Sequence, residues 1–327
     1  MIAPSAPPAA RVLITGAAGF VGRALLATRA PLQLRAAVRS DPVPGLGVDQ
    51  VIVGDIDERT DWSQALDGVD CVVHLAARVH VIDPNANDRV EFERTNVLGT
   101  EQLARAAAAV GVRRFIFLSS IKVNGESSGD RAFRVDDIPR PKDDYARSKL
   151  EAERRLSAIE TASGMTVSIV RPPLVYGPGV CANFYRLLSL ARSGLPLPLA
   201  SVVNVRSMVS VWNLCDLIFA LLRHDRPMNG VFLVADGEDI STAELLRRLA
   251  QIMRRPLRLF SLPVGALKAL AVFAGRSAEI NKLCNSLVVD ISQTHARLGW
   301  SPPVTLDEGL GRTVHWYMQA LMDRRAA

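Results

Sequence analysis

Cysteine is scarce and scattered. Four occur in 327 residues, Cys71, Cys181, Cys215 and Cys284, none at Cys-x-x-Cys spacing and none beside a histidine cluster. That pattern argues against a disulfide framework and against a zinc site, so no metal is expected, and it fits a reducing compartment, the cytoplasm. Arg and Lys are spread along the chain rather than gathered in a stripe, which argues against a nucleic-acid partner. Long apolar runs are also missing. The most apolar stretch, Leu259–Ala274, contains Pro263, Gly265 and Lys268 and is too short for a bilayer, so no stable membrane insertion is expected. A packed helix is the first expectation there, and peripheral membrane contact the second. The opening MIAPSAPPAA lacks a basic start and an apolar core, and reads as a loose tail over residues 1–10 rather than a signal peptide.

What is present is an ordinary globular composition, 49% hydrophobic and 22% charged, in a chain long enough for one large domain or two coupled ones. A net charge of +6 suits an anionic substrate such as a diphosphate, and suits equally well a solvated surface. Short apolar runs alternate with Ala/Leu-rich helical ones. Strands are expected at Arg11–Thr15, Leu34–Val38, Val51–Val53, Cys71–Leu75, Arg114–Leu118 and Val167–Val170, with helices at Val21–Arg29, Thr95–Gly111 and Tyr145–Gly164. This alternation predicts an α/β fold, a Rossmann-type doubly wound parallel sheet. After Pro172, Pro and Gly become frequent, and helices are expected near Asn183–Ser193, Thr242–Arg254 and Pro263–Ala274. The expected organisation is a dinucleotide-binding domain over 11–175 and 204–235. A smaller C-terminal substrate-binding lobe, over 176–203 and 236–320, is expected against the carboxyl ends of the strands.

Three local patterns carry chemistry. Thr15-Gly16-Ala17-Ala18-Gly19-Phe20-Val21-Gly22 follows a strand and opens a helix. There Gly16 permits a tight turn, Gly19 lets the backbone approach a pyrophosphate, Gly22 allows close helix–sheet packing, and the helix N-terminus supplies amides for phosphate. Tyr145 and Lys149, four apart on a helix, share one face, so an ammonium lies beside a phenol and is expected to lower its pKa towards neutrality. Ser119-Ser120 ends the fifth strand, where ligands of such sheets bind, and a serine there can hydrogen-bond a reacting oxygen.

The order TGxxGxxG, His74–Ala77 (HLAA), SS, YxxxK and RPPLVYGPG resembles the extended short-chain dehydrogenase/reductases, within them the NAD-dependent epimerase/dehydratase family, over residues 11 to 317. The resemblance implies Tyr145 as acid/base, Lys149 on Tyr145 and the ribose hydroxyls, and Ser120 on the substrate oxygen. It implies cofactor contacts from Gly16, Ala18, Gly19, Phe20, Val21, Gly22, Arg39, Asp55, Ile56, Leu75, Ala76, Ala77, Asn96, Tyr145, Lys149 and Pro172, and contacts to a UDP-sugar from Ser120, Asn183 and Arg206. Three positions depart from the family pattern. Arg39 stands where an Asp often accepts from the ribose 2′-OH, which favours NADP(H) over NAD(H), although Arg39 could instead stack on adenine. Asn124 replaces the tyrosine of the usual VYG, and Leu174 replaces an asparagine, making the pocket more apolar. A second uridine-side contact is unassigned, Lys282 being a guess.

The pattern is also similar to a UDP-glucose 4-epimerase-like and UDP-N-acetylquinovosamine 4-ketoreductase subgroup of bacterial surface-polysaccharide synthesis. The reaction expected from this is reduction of a UDP-4-keto-6-deoxy-N-acetylhexosamine. The alternatives are 4-epimerisation of UDP-glucose or UDP-N-acetylglucosamine with tightly bound NAD, and a non-catalytic NADP(H)-sensing protein. Dehydration is disfavoured, because Ile121-Lys122 stands where the dehydratases carry an acid pair. The sequence leaves the oligomeric state open, and a homodimer is compatible with it.

Overall fold

The computed structural model describes residues 10–28, 32–79, 88–273, 275 and 277–326. Most of the expected tail lies outside these, as do Arg29 and Ala274, which end two of the expected helices. The strands in chain order are β1 Arg11–Thr15, β2 Gln33–Val38, β3 Asp49–Ile52, β4 Cys71–His74, β5 Arg114–Leu118, β6 Thr166–Arg171, β7 Leu174–Tyr176, β8 Pro196–Leu197, β9 Met208–Ser210, β10 Gly230–Leu233 and β11 Arg258–Leu259. The helices are α1 Phe20–Ala27, α2 Ser63–Leu66, α3 Asp88–Phe92, α4 Gly99–Ala109, α5 Asp144–Ser163, α6 Ala182–Ser193, α7 Val211–Arg223, α8 Thr242–Ile252, α9 Val264–Phe273, α10 Ser277–Cys284, α11 Ser292–Leu298 and α12 Leu306–Ala326.

The chain divides into two units. The first comprises residues up to Val123, Pro141–Arg171 and Ile218–Phe232, and the second comprises Asn124–Arg140, Pro172–Leu217 and Leu233–Ala327. Residues 124–140, 172–175, 204–217 and 233–235, expected with the dinucleotide-binding domain, thus fall in the second unit. Local pairing accounts for this: Phe133 bridges Val289, and β9 pairs with β7 in a separate two-stranded sheet.

A seven-stranded sheet in the order β10-β6-β5-β4-β1-β2-β3 builds the first unit. All the neighbouring pairs from β6 to β3 are parallel. Strands buried on both faces must be apolar throughout, which is why RVLIT and RFIFL were legible as strands. Their core holds Leu13, Val72, Phe115, Phe117 and Val167 from the sheet, packed by Leu103, Ala107, Leu156 and Ile159 from α4 and α5. Helix α5 has well-defined ends. Asp143 Oδ1 accepts from the Ala146 amide at 2.7 Å, and Gly164 closes the helix at φ 75°.

The helix expected from Thr95 begins earlier, at Asp88, and carries a π-helical stretch, Glu93–Leu98, ahead of α4. Here Thr100 Oγ1 donates to the Asn96 carbonyl at 2.8 Å, a local bond that competes with regular helical pairing. The strands after β6 are too short, two to four residues, to leave a periodic signal.

In the second unit, α6 packs on α8 and α8 on α12. Tyr176 is fully buried, stacks on Phe184 at 5.0 Å and donates to Asp236 Oδ2 at 2.7 Å. Asp236 Oδ1 in turn accepts from Asn213 Nδ2 at 2.6 Å and from the Ser210 amide at 2.8 Å. A Cβ at Gly309 would lie 2.5 Å from the Tyr176 hydroxyl, so α12 reaches this phenol only because that position has no side chain.

Candidate active site

The glycine loop joins β1 to α1. Gly16 sits at φ 67°, and a Cβ there would meet the Ala76 amide nitrogen at 2.7 Å. A Cβ at Gly22 would come within 2.3 Å of the Gly16 carbonyl oxygen, and one at Gly19 within 3.1 Å of the same atom. Gly19 caps α1 without a side-chain hydrogen bond, so the cap offers no side chain to compete with an anion for the first-turn amides of Phe20, Val21 and Gly22. This bare backbone cradle fits the pyrophosphate of a dinucleotide. Gly22→Val is expected to abolish nicotinamide-cofactor binding in a fluorescence titration; retained affinity would show that the loop does not seat the cofactor.

Around the cradle a hydrogen-bonded chain ties four elements together. His74, fully buried at the end of β4, meets Thr15 Oγ1 at 2.6 Å through Nδ1 and Thr100 Oγ1 at 2.9 Å through Nε2. Burial, with the Lys149 charge adding to it, pushes this imidazole down to about 3, so it is a neutral structural group. Leu75, Ala76 and Ala77 follow, half-buried, and the Ala76 amide donates to Thr15 Oγ1 at 3.2 Å. Asn96 accepts from the Arg78 amide at 2.8 Å and donates to the Arg78 carbonyl and to Ser148 Oγ, both at 3.0 Å. Its amide therefore braces the loop after β4 against α5. At the other edge, the exposed Arg39 at the end of β2 pairs with the exposed Asp55 at 2.9 Å. Ile56 is half-buried against α4, where a Cβ at Gly99 would lie 2.7 Å from its Cγ2.

Ser120 leaves the carboxyl end of β5, and its Oγ accepts from the Lys122 amide at 3.3 Å. Tyr145 and Lys149 stand one turn apart on α5. Lys149 is buried, lies 4.5 Å from the Phe117 ring and donates to the Leu118 carbonyl at 2.8 Å, two residues before Ser120. Desolvation pushes its ammonium down to about 7, partly opposed by the Glu153 carboxylate. The structure differs here from the expected lowering of the Tyr145 phenol. Burial, and then the Asp143 carboxylate, raise it well above its ordinary range. The physical reason is first the burial of the phenol and then the negative charge of Asp143, while the Lys149 ammonium donates to the Leu118 carbonyl. Tyr145 thus holds its proton in the protein alone.

Sequence reasoning missed two supporting clusters. Lys122 Nζ pairs with Asp143 at 2.5 Å and lies 5.9 Å from the Tyr145 ring, which also meets Phe92 edge-on at 6.1 Å. Because Asp143 caps α5, this pair clamps the loop carrying Ser120 to the helix carrying Tyr145. Lys122→Met is expected to lower kcat by roughly 10–100-fold through misplacement while cofactor affinity stays unchanged. Steady-state kinetics with a cofactor titration check both. Behind the site, Glu153 accepts from Ser119 Oγ at 2.5 Å and forms a two-pronged pair with Arg171, Nε to Oε1 at 2.9 Å and Nη2 to Oε2 at 2.5 Å. The readable signal was an arginine ending the apolar strand TVSIVR, since a buried charge demands a partner.

The remaining expected site residues belong to the second unit. Pro172 is buried, and Leu174 is half-buried in β7. Asn124 is buried and donates to the Arg134 carbonyl at 3.2 Å. Asn183 is exposed in the first turn of α6, beside Ala182 at φ 54°. Arg206 donates through Nη1 to the carbonyls of Lys282, at 2.6 Å, and Asn285, at 3.1 Å, and desolvation lowers its pKa. Lys282 is exposed on α10.

A Rossmann-type sheet, a glycine loop between β1 and α1, and a Ser/Tyr/Lys set shared by the end of β5 and by α5 define a nicotinamide-dependent oxidoreductase. The chain belongs to the NAD-dependent epimerase/dehydratase family, whose sequence pattern matches residues 12–235. It is 43% identical over 317 residues to the UDP-glucose 4-epimerase of Vibrio cholerae, covering 94% of this chain and 96% of that one. The solved structure of MoeE5 with UDP-glucose and NAD is 26% identical, with a TM-score of 0.76 over 95% of this chain and 99% of that chain. The UDP-glucuronic acid 4-epimerase of Bacillus cereus, solved with NAD, shares the fold at 23% identity and a TM-score of 0.75, over 95% and 99% of the two chains.

Proposed function

We propose that this enzyme inverts the C4 hydroxyl of a UDP-linked hexose and uses NAD as its resident cofactor. The observation that carries the reading is the near full-length similarity, at 43% identity, to a UDP-glucose 4-epimerase, with Ser120, Tyr145 and Lys149 all in place. It displaces reduction of a 4-keto-6-deoxy sugar as the first choice. The bound nicotinamide would supply a reversible hydride acceptor. Gly16, Ala18, Gly19 and the first turn of α1 would seat its pyrophosphate, with Asp55 and Ile56 at the adenine and Lys149 at the ribose. With sugar nucleotide and cofactor bound, Tyr145 Oη first releases its own proton to solvent; the phenolate then takes the proton of the C4 hydroxyl and later returns it, and Ser120 Oγ hydrogen-bonds the C4 oxygen. The Lys149 ammonium, released from the Leu118 carbonyl, stabilises the phenolate while it exists. Asn183 and Arg206 would hold the nucleotide diphosphate, the guanidinium suiting phosphate through its planar fork.

The reductase reading keeps one observation in its favour, Arg39 at the end of β2, where a cation would suit the 2′-phosphate of NADPH. Its exposed pair with Asp55 already gives that cation an anion, which favours NAD. The test is to release the cofactor from freshly purified protein and to follow UDP-glucose and UDP-N-acetylglucosamine by NMR. Stoichiometric NAD and appearance of the C4 epimer without added cofactor are expected. Protein that carries no NAD and consumes NADPH with a 4-keto sugar nucleotide would overturn the proposal. Arg39→Ser separates the readings further. An NAD enzyme keeps its turnover, whereas an NADPH enzyme loses affinity for its cofactor.

A further inference from the structure

Helix α9, VGALKALAVF, has Lys268 as its only charged residue, and its apolar residues are spread along its sequence without a polar stripe. A helix that is apolar all round is normally enclosed. This one is not: Leu267 is buried, while Ala266, Ala269, Leu270, Val272 and Phe273 are exposed, Phe273 to 91% and Val272 to 66%. Phe260, shortly before it, is exposed to 48%.

The net charge of the chain is concentrated in the stretch of sequence that contains this helix. Residues Arg254 to Asn285 contain six Arg and Lys against one Glu, five of the six net positive charges of the whole chain. Arg254, Arg255, Arg258, Lys268 and Lys282 are all exposed, and among the described residues none of the five pairs with a carboxylate. Beside them, a groove is lined by Arg247, Gln251, Arg255, Leu257 and Leu259.

We propose that α9 and the basic residues flanking it form a docking surface for an anionic phospholipid bilayer. The chemistry matches on both counts. Leu270, Val272 and Phe273 would enter the boundary of the acyl chains, while the cations meet lipid phosphates, each Lys or Arg near such a surface strengthening binding about fivefold. No helix among the described residues is long and apolar enough to cross a membrane, so α9 lies in the interface rather than through it. Nucleic acid would match the cations but not the aliphatic patch. A second copy of the chain would match the patch, but a two-fold contact here would set this cluster of positive charge against itself. The proposal is independent of the substrate assigned above.

The test is co-sedimentation of the full chain with vesicles of equimolar phosphatidylglycerol and phosphatidylethanolamine, against vesicles of phosphatidylcholine alone. The protein is expected to pellet with the anionic vesicles, to stay in solution with phosphatidylcholine, and to be weakened by salt. Phe273→Glu combined with Leu270→Glu is expected to abolish pelleting, and Lys268→Glu to weaken it at least fivefold. These side chains are exposed, so far-UV circular dichroism and turnover should match the parent protein. Phe273→Ala provides a milder second variant, expected to weaken pelleting. Three results would overturn the proposal: no pelleting with anionic vesicles, equal pelleting with phosphatidylcholine, or dissociation of a dimer by Phe273→Glu in ultracentrifugation with no vesicle binding by the parent.

Discussion

Replacing Tyr145 with Phe is expected to leave a folded protein that binds its cofactor and turns over about 10²–10⁴-fold more slowly. The hydroxyl is the only group lost. The ring keeps its edge contact with Phe92, and Lys149 keeps its bond to the Leu118 carbonyl. What disappears is the atom that holds and returns the proton. Steady-state rates on a UDP-hexose, with cofactor affinity measured in parallel, separate the chemical from the structural effect. A fall in rate of less than about tenfold would remove Tyr145 from the chemistry.

The second large effect is expected at Glu153. Glu153→Ala removes a buried carboxylate that takes two bonds from Arg171 and one from Ser119, and it leaves the guanidinium buried without this counter-charge. Breaking a buried pair from one side typically costs about 3–5 kcal/mol. Urea denaturation measures it, and a loss below about 1 kcal/mol, the range of an exposed pair, would show that the pair is not structural. Glu153→Gln separates charge from shape. The Glu153 carboxylate raises the pKa of Lys149 against the desolvation that pushes it down to about 7. Removing the negative charge therefore lowers the lysine pKa further. If the Lys149 ammonium is what stabilises the Tyr145 phenolate, activity fails above that pKa, and the alkaline limb of the kcat/KM profile moves to lower pH in Glu153→Gln. A purely structural glutamate would change the amplitude of that profile and not the position of its limb.

Both residues show what could be read from the chain and what could not. β1 and β5 were located to the residue, because a strand covered on both faces has to be a continuous apolar run. The glycine loop was legible because only glycine satisfies both a positive φ at Gly16 and a Cβ-free approach at Gly22. Tyr145, Lys149 and Glu153 lie at four-residue spacing on α5, and the first two were found from it. Glu153 was missed because its partner, Arg171, is 18 residues away and is brought close only by sheet formation. The Lys122–Asp143 clamp was hidden for the same reason, the two lying 21 positions apart. The charge state of Tyr145 was read in the wrong direction. Helical spacing reports which side chains share a face, whereas the phenol responds to burial and to a carboxylate at the helix cap. The short strands of the second unit, paired mainly with one another, had no local signature at all.

In the proposed reaction the hydrogen removed from C4 returns to C4 of the same sugar, with Tyr145 managing the proton. UDP-glucose deuterated at C4, incubated with the protein as purified and without added cofactor, tests it most directly. UDP-galactose with deuterium retained at C4 and no net change in nicotinamide absorbance are expected. Loss of the label to solvent, or no epimer alongside stoichiometric oxidation of added NADPH by a 4-keto sugar nucleotide, would contradict it.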